Sequence, residues 1–194
     1  MLRSRWRYKL IYEPFLRPAF LRASSIVVSS PALPEHAQAL TAHASRCQVI
    51  PFGLDIQLAP APHGHPAVAT VRARWAGPIA LFVGRLVPYK GVDCLLRALT
   101  ESDVAAVIVG DGPLRESLEE LATSLGVDSR TFFLGAVDDG ELSAWYGACD
   151  MFVLPSVTRA EAFGLVQLEA MARGKPVIST RIEAGIPWGD IDGY

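Results

Sequence analysis

From residue 78 onward, short unbroken apolar runs alternate with apolar stripes at helical spacing. Runs of strand length fall at residues 79–83, 104–109, 131–134, 151–154 and 177–179. They are continuous rather than alternating, which fits strands covered on both faces. Between them, Val92, Leu95, Leu96 and Leu99 recur at i, i+3, i+4 and i+7. Leu114, Leu118, Leu121 and Leu125 form a second stripe. Pro113 suits the first position of that helix, and Gly126 suits its C-terminal stop. Shorter helices are predicted over 68–75 and 141–148. Strand–helix alternation at this spacing builds right-handed βαβ units, so the expected fold class is α/β with a Rossmann-like, doubly wound parallel sheet.

The preceding stretch is thinner. A buried strand is predicted over 25–29, a helix over 34–44 carrying Ala37, Leu40 and Ala44 on one face, and a second strand over 47–51. Two strands and a helix bury too little surface to fold alone. Residues 1–54 therefore read as the tail of an N-terminal domain. Residues 55–77 read as a linker, rich in Pro, Ala and Gly, followed by a short helix, and 78–194 as an incomplete C-terminal domain. Residues 1–22 carry Arg3, Arg5, Arg7, Lys9, Arg17 and Arg22 against Glu13, with aromatic and aliphatic residues interleaved. Two readings stand: a segment touching an anionic membrane surface, or a helix of a larger domain. Pro14 and Pro18 are expected to interrupt any long helix.

Composition narrows the function classes. Of the 194 residues, 51% are hydrophobic, ample for a core. A net charge of -2 gives no global reason to expect nucleic acid. Cys47, Cys94 and Cys149 are odd in number and far apart, so they form neither a disulfide framework nor a zinc pattern. His36, His43, His63 and His65 lack a third ligand nearby. No apolar run reaches the roughly 18–20 residues of a membrane span, and the N-terminus has no secretory signal pattern. A cytoplasmic protein is expected, with peripheral contact at the inner membrane face through residues 1–22 as the further option.

The unusual residues converge on one edge. Ligands of such sheets sit beyond the carboxyl ends of the strands. Gly84-Arg85, Gly110-Asp111-Gly112, Gly135-Ala136-Val137 and Pro155-Ser156 each follow a predicted strand. Arg85 and Lys90 flank a loop entering the helix near Gly91, a combination suited to a diphosphate. Further on, Glu161 and Glu169 stand eight positions apart around Phe163-Gly164-Leu165. Backbone N–H groups of those three residues can approach a sugar or phosphate. The carboxylates can hold sugar hydroxyls or act as an acid–base couple, and the spacing leaves both open.

The ordered set Gly84-Arg85-Leu86-Val87-Pro88-Tyr89-Lys90-Gly91, Val109-Gly110-Asp111-Gly112-Pro113, Phe133-Leu134-Gly135-Ala136-Val137, Leu154-Pro155-Ser156 and the Glu-x7-Glu stretch resembles glycosyltransferase family 4. That family comprises group 1, retaining transferases of GT-B fold. Ser29-Ser30-Pro31 and the run from Ile50 to Asp55 resemble the end of its N-terminal domain and the interdomain crossing. The resemblance implies hexosyl transfer from a nucleotide-diphospho-sugar to a glycan or lipid-linked acceptor, in surface polysaccharide or glycolipid assembly. It implies that Arg85 and Lys90 hold the donor diphosphate, and that Glu161 lies at the donor sugar. Glu169 would take the ribose hydroxyls. Gly84, Phe163, Gly164 and Leu165 would line the sugar and phosphates, and Val137 would meet the nucleobase through its backbone. No cofactor and no metal are expected.

Much of the family's acceptor half has no counterpart here, and none of the four histidines matches the family's usual one near the reaction centre. A chain truncated at both ends is the expectation. The alternative is a non-catalytic nucleotide-sugar-binding or interaction module. A phosphorylase or epimerase fits less well, since a cofactor-lysine signature is missing.

Overall fold

The computed structural model describes residues 13–54, 64–161 and 163–182. Expectations for 1–12, for most of the linker and for 183–194 lie outside those residues. The chain divides into two compact units, Met1–Phe52 and Gly53–Tyr194.

In the first unit, helix α1 (Glu13–Arg22) leads to strand β1 (Ile26–Val28). Short helices α2 (Ala32–His36) and α3 (Gln38–Thr41) follow, then strand β2 (Cys47–Val49). The two strands pair in parallel, Ile26 opposite Cys47. Pro18 does not end α1 but lies within it. The carbonyl left without its N–H partner is that of Pro14, in the first turn, so only one bond is lost. The single helix expected over 34–44 is broken at Ala37, which is extended at φ −85° and ψ 103°. Its stripe contains two alanines, which offer little apolar surface to hold a longer axis straight. Phe15 and Leu21 of α1 are exposed.

In the second unit, helix α4 (Pro66–Arg74) precedes strand β3 (Ile79–Val83). Helix α5 (Val92–Leu99), β4 (Ala105–Val109), α6 (Arg115–Ser124) and β5 (Thr131–Gly135) follow. Then come α7 (Asp139–Ala148), β6 (Met151–Leu154), α8 (Leu165–Met171) and β7 (Val177–Ser179). The strands form one sheet of order β5-β4-β3-β6-β7, and every pairing is parallel. This is the doubly wound α/β architecture expected from the alternation.

Burial explains why the strands read as continuous apolar runs. Along β3, Ile79, Leu81 and Val83 pack with Trp145, Tyr146 and Phe152 on one face. Ala80 and Phe82 pack with Leu95, Leu96, Leu99 and Leu118 on the other. Each large side chain withdrawn from water contributes roughly 1.5–3 kcal/mol. Val71 anchors α4 in the first of these layers.

Three helix starts in this unit differ from expectation, and α4 begins at Pro66 rather than residue 68. Helix α6 begins at Arg115, so Pro113 lies in the loop before it. There the N–H of Leu114 donates to the carbonyl of Leu86 at 3.2 Å, which ties this loop to the one after β3. Helix α7 begins two residues earlier than the apolar pattern suggests, because the Asp138 carboxylate caps it by accepting the N–H of Glu141 at 2.8 Å. Gly126 follows α6 with φ +68°, the left-handed stop read from sequence.

Candidate functional site

Strand β3 is flanked by β4 on one side and β6 on the other. The chain runs outward from β3 to β5, then crosses back to β6 and β7. The loops after β3 and β6 therefore diverge over a topological switch point, where a crevice forms in sheets of this kind. The two loops are stitched together at that point. The N–H of Val157 donates to the carbonyl of Tyr89 at 2.8 Å. Gly91 caps α5 at φ +64°, and a Cβ there would collide with the carbonyl oxygen of Pro155. Both the left-handed conformation and the close approach require glycine.

Across this junction the ammonium of Lys90 meets Glu161 Oε2 at 2.6 Å, with side-chain exposures of 11% and 8%. Ser156, fully buried, donates its hydroxyl to the same oxygen at 2.8 Å. Lys90 closes a short 3-10 turn, Pro88–Lys90, and its Nζ lies 5.7 Å from the Tyr89 ring centroid. The stem of Lys90 crosses Gly84, whose missing side chain leaves room: Cε and Nζ lie 3.5 and 3.6 Å from where a Cβ would stand. Neither charge would tolerate this burial alone. Desolvation costs several kcal/mol per ion, and the pair offsets it only through close contact and added hydrogen bonds. Both donors meet Oε2, and among the described residues no donor to Oε1 is seen.

Arg85 takes a different position. It is exposed and forms no ion pair among the described residues. The two cations expected to act as a pair are thus one buried and one exposed, flanking the same loop.

The remaining predicted positions follow the sheet edge. Val137 is partly buried against the core, immediately before the Asp138 cap of α7. Phe163 is buried, and its carbonyl accepts from Gln167 Nε2 at 3.1 Å. Gly164 caps α8 at φ +71°, and a Cβ there would press on Leu154 Cδ2 at 2.7 Å. Leu165 is exposed.

Glu169 lies on α8, half-buried. Its Oε2 accepts the phenol of Tyr146 at 2.8 Å. That hydroxyl also lies 3.2 Å from the Val166 carbonyl. Burial, then the Glu169 charge and its hydrogen bond, raise the Tyr146 phenol far above its ordinary range, so it remains a donor. Arg173 stacks over the Tyr146 ring at 4.8 Å and donates to the Glu169 carbonyl at 3.1 Å.

The structure thus brings Lys90 and Glu161 into contact and holds each of the two carboxylates with a buried hydroxyl. Ser156 and Tyr146 were not assigned roles from sequence. Ser156 stood within a recognised motif. Tyr146 lies within the helix predicted over 141–148, and a phenol needs a partner once buried. Among the described residues, no group of three or more His, Cys, Asp and Glu is placed to hold a metal ion. None of their helices is long and apolar enough to cross a membrane.

Residues 73–187 match the family described as Glycosyl transferases group 1. The chain is 37% identical over 198 residues to the D-rhamnosyltransferase WbpZ of Pseudomonas aeruginosa, covering 100% of this chain and 50% of that protein. It is 38% identical to the GDP-mannose-dependent alpha-(1-6)-phosphatidylinositol monomannoside mannosyltransferase of Mycolicibacterium smegmatis, over 74% of this chain and 40% of that one. The structure superposes on Anabaena HepE (Alr3699), solved in complex with UDP and glucose, with a TM-score of 0.70 and 28% identity. That match covers 91% of this chain and 50% of HepE. The chain spans about half the length, or less, of the relatives it matches.

Proposed function

The chain belongs to the group 1 glycosyl transferases, with the Rossmann-like architecture of a GT-B fold, and from that premise we propose that it carries the donor half-site for hexosyl transfer from a nucleotide-diphospho-sugar. The observation that carries this reading is the Lys90–Glu161 pair at the switch point. It sets a buried cation and a hydroxyl-accepting carboxylate side by side, where the diphosphate and the sugar of one donor would adjoin.

In this reading Arg85 and Lys90 take the diphosphate, with the backbone of Gly84 beside it. Glu161 accepts a hydroxyl of the transferred sugar. Backbone groups of Phe163, Gly164 and Leu165 border sugar and phosphate. Glu169 accepts the ribose hydroxyls, and the backbone of Val137 meets the base. The bond between the anomeric carbon and the diphosphate oxygen breaks, and its electron pair leaves with the diphosphate. The acceptor hydroxyl attacks on the same face, with retention, and passes its proton to the departing phosphate oxygen. Stabilising the charge on that phosphate is the main catalytic contribution of the two cations, and neither a metal nor a cofactor enters the scheme.

We propose a glycan or lipid-linked acceptor, in surface polysaccharide or glycolipid assembly; the phosphatidylinositol monomannoside mannosyltransferase among its relatives supports the lipid-linked form. A GDP-mannose-dependent relative and a UDP-bound structural neighbour make GDP and UDP the two nucleotides to test. Calorimetry of the 194-residue chain with UDP, GDP and their sugars is the experiment. Binding of at least one is expected; none bound by folded protein would sink the reading. Donor binding without transfer would instead favour a nucleotide-sugar-binding module.

A further inference from the structure

We infer that Tyr146 is a positioning residue for Glu169, holding its carboxylate in the one orientation that meets the donor's ribose. The inference rests on the reading of Glu169 given above and adds a residue to it.

Tyr146 lies on α7 and is fully buried, whereas Glu169 is half-buried on α8. The phenol bridges the two helices. Its proton has two acceptors within reach, Glu169 Oε2 at 2.8 Å and the Val166 carbonyl at 3.2 Å. The carboxylate is closer and charged, and hydrogen bonds to charged acceptors are about twice as strong as neutral ones.

The ring itself is held on two sides. Phe152 packs at a centroid distance of 5.9 Å, and the Arg173 guanidinium covers the ring at 4.8 Å. Arg173 is in turn tied to the Glu169 carbonyl and, at 3.4 Å, to Ser143 Oγ. Donor and acceptor therefore belong to one interlocked cluster.

A free glutamate on a helix surface samples several rotamers and loses that freedom when it binds. Here one carboxylate oxygen is fixed in advance, and among the described residues no donor to Oε1 is seen. Preorganisation of this kind raises affinity by lowering the ordering cost of binding. Tyr146 touches no substrate in this scheme; it acts through Glu169.

The test compares affinities for UDP and GDP with those for their 2′-deoxy and 3′-deoxy forms, in wild type, Tyr146→Phe and Glu169→Gln. Phenylalanine keeps the ring and its packing and removes only the hydroxyl. Tyr146→Phe is expected to weaken ribonucleotide binding by roughly tenfold, the size of one charge-assisted hydrogen bond. It should barely change binding of the deoxy forms, so the ribo-to-deoxy ratio collapses toward that of Glu169→Gln.

An equal loss for all nucleotides, or an unchanged ratio, would overturn the positioning role. A ratio altered by Glu169→Gln but not by Tyr146→Phe overturns that role alone. A ratio altered by neither overturns the ribose reading of Glu169 as well, as would folded wild type that binds no nucleotide. Should Tyr146→Phe fail to fold, Glu169→Asp gives the same comparison. It keeps the charge but withdraws it from the phenol, and an unchanged ratio there also overturns the inference.

Discussion

The ammonium of Lys90 and the carboxylate of Glu161 meet at 2.6 Å, one from the loop after β3 and the other from the loop after β6. The pair spans the switch point of the sheet, so a diphosphate arriving there must compete with Glu161 for the cation. Glu161→Gln should therefore tighten binding of UDP or GDP without a sugar, by up to about tenfold, as the phosphate no longer competes with a carboxylate for Lys90. The same variant should lower the preference for the sugar-bearing nucleotide. It should also lower unfolding free energy by about 1–3 kcal/mol, since Lys90 loses a charged partner. Calorimetry and urea denaturation measure both effects; weaker binding of the bare nucleotide would contradict the competition.

Arg85 is exposed and makes no ion pair among the described residues. Arg85→Ala should leave stability within about 0.5 kcal/mol of wild type, as surface substitutions do. It should weaken diphosphate forms by roughly ten- to a hundredfold, in line with one charge-assisted contact, and affect the nucleoside monophosphate less. Equal affinity of wild type and variant for UDP and GDP would reduce Arg85 to a surface cation.

Gly91 has φ +64°, and an added Cβ would run into Pro155 at its carbonyl. Gly91→Ala should destabilise by more than the roughly 1–3 kcal/mol of left-handed strain alone, because the loops after β3 and β6 must also part. Denaturation midpoints measure this directly. A variant as stable as wild type would mean that the two loops do not pack as described.

Asp150 gives an acid-side prediction. Burial by itself would raise its carboxyl, but the N–H of Ile79 and the guanidinium of Arg72 outweigh that and hold it below the usual carboxylate range. The contacts are 2.8 and 3.0 Å. A carboxyl depressed on folding contributes stability above its unfolded value, about 3.9. That contribution is lost as pH falls through the lower folded value. Asp150→Asn should therefore show a shallower fall in stability from about pH 5 downward than wild type. Parallel acid titrations of the two proteins would argue against the depressed carboxyl.

Thiol labelling offers a simpler check of the core. Burial pushes the Cys149 thiol up to about 11, whereas Cys94 is exposed on α5. A maleimide at neutral pH should modify Cys94 readily and Cys149 only after denaturation. Fast labelling of Cys149 in folded protein would show that β6 and α7 do not enclose it.

Local pattern was enough for the sheet. The run at 79–83 could be read as a strand because both its faces are buried, and Val92, Leu95, Leu96 and Leu99 could be read as a helix because one face is. The pattern was weaker wherever a helix end depended on a partner elsewhere. The N–H of Leu114 is taken by Leu86, a residue of another loop, so Pro113 lies two positions before the first helical residue rather than at it. The broken helix near Ala37 carries too little apolar surface for periodicity to report its break.

The sequence by itself determined the parallel α/β class and the carboxyl-edge location of Arg85, Lys90, Glu161 and Glu169. Apolar periodicity and chain order act over short distances and are written in neighbouring residues. Only the tertiary structure decided the company each group keeps. Lys90 is set against Glu161, Ser156 donates to the same carboxylate oxygen, and Tyr146 rather than a cation holds Glu169. Those pairings depend on β6 lying beside β3 and on α7 packing near α8, and strand order is fixed by the packing of the whole sheet rather than by any local stretch of chain.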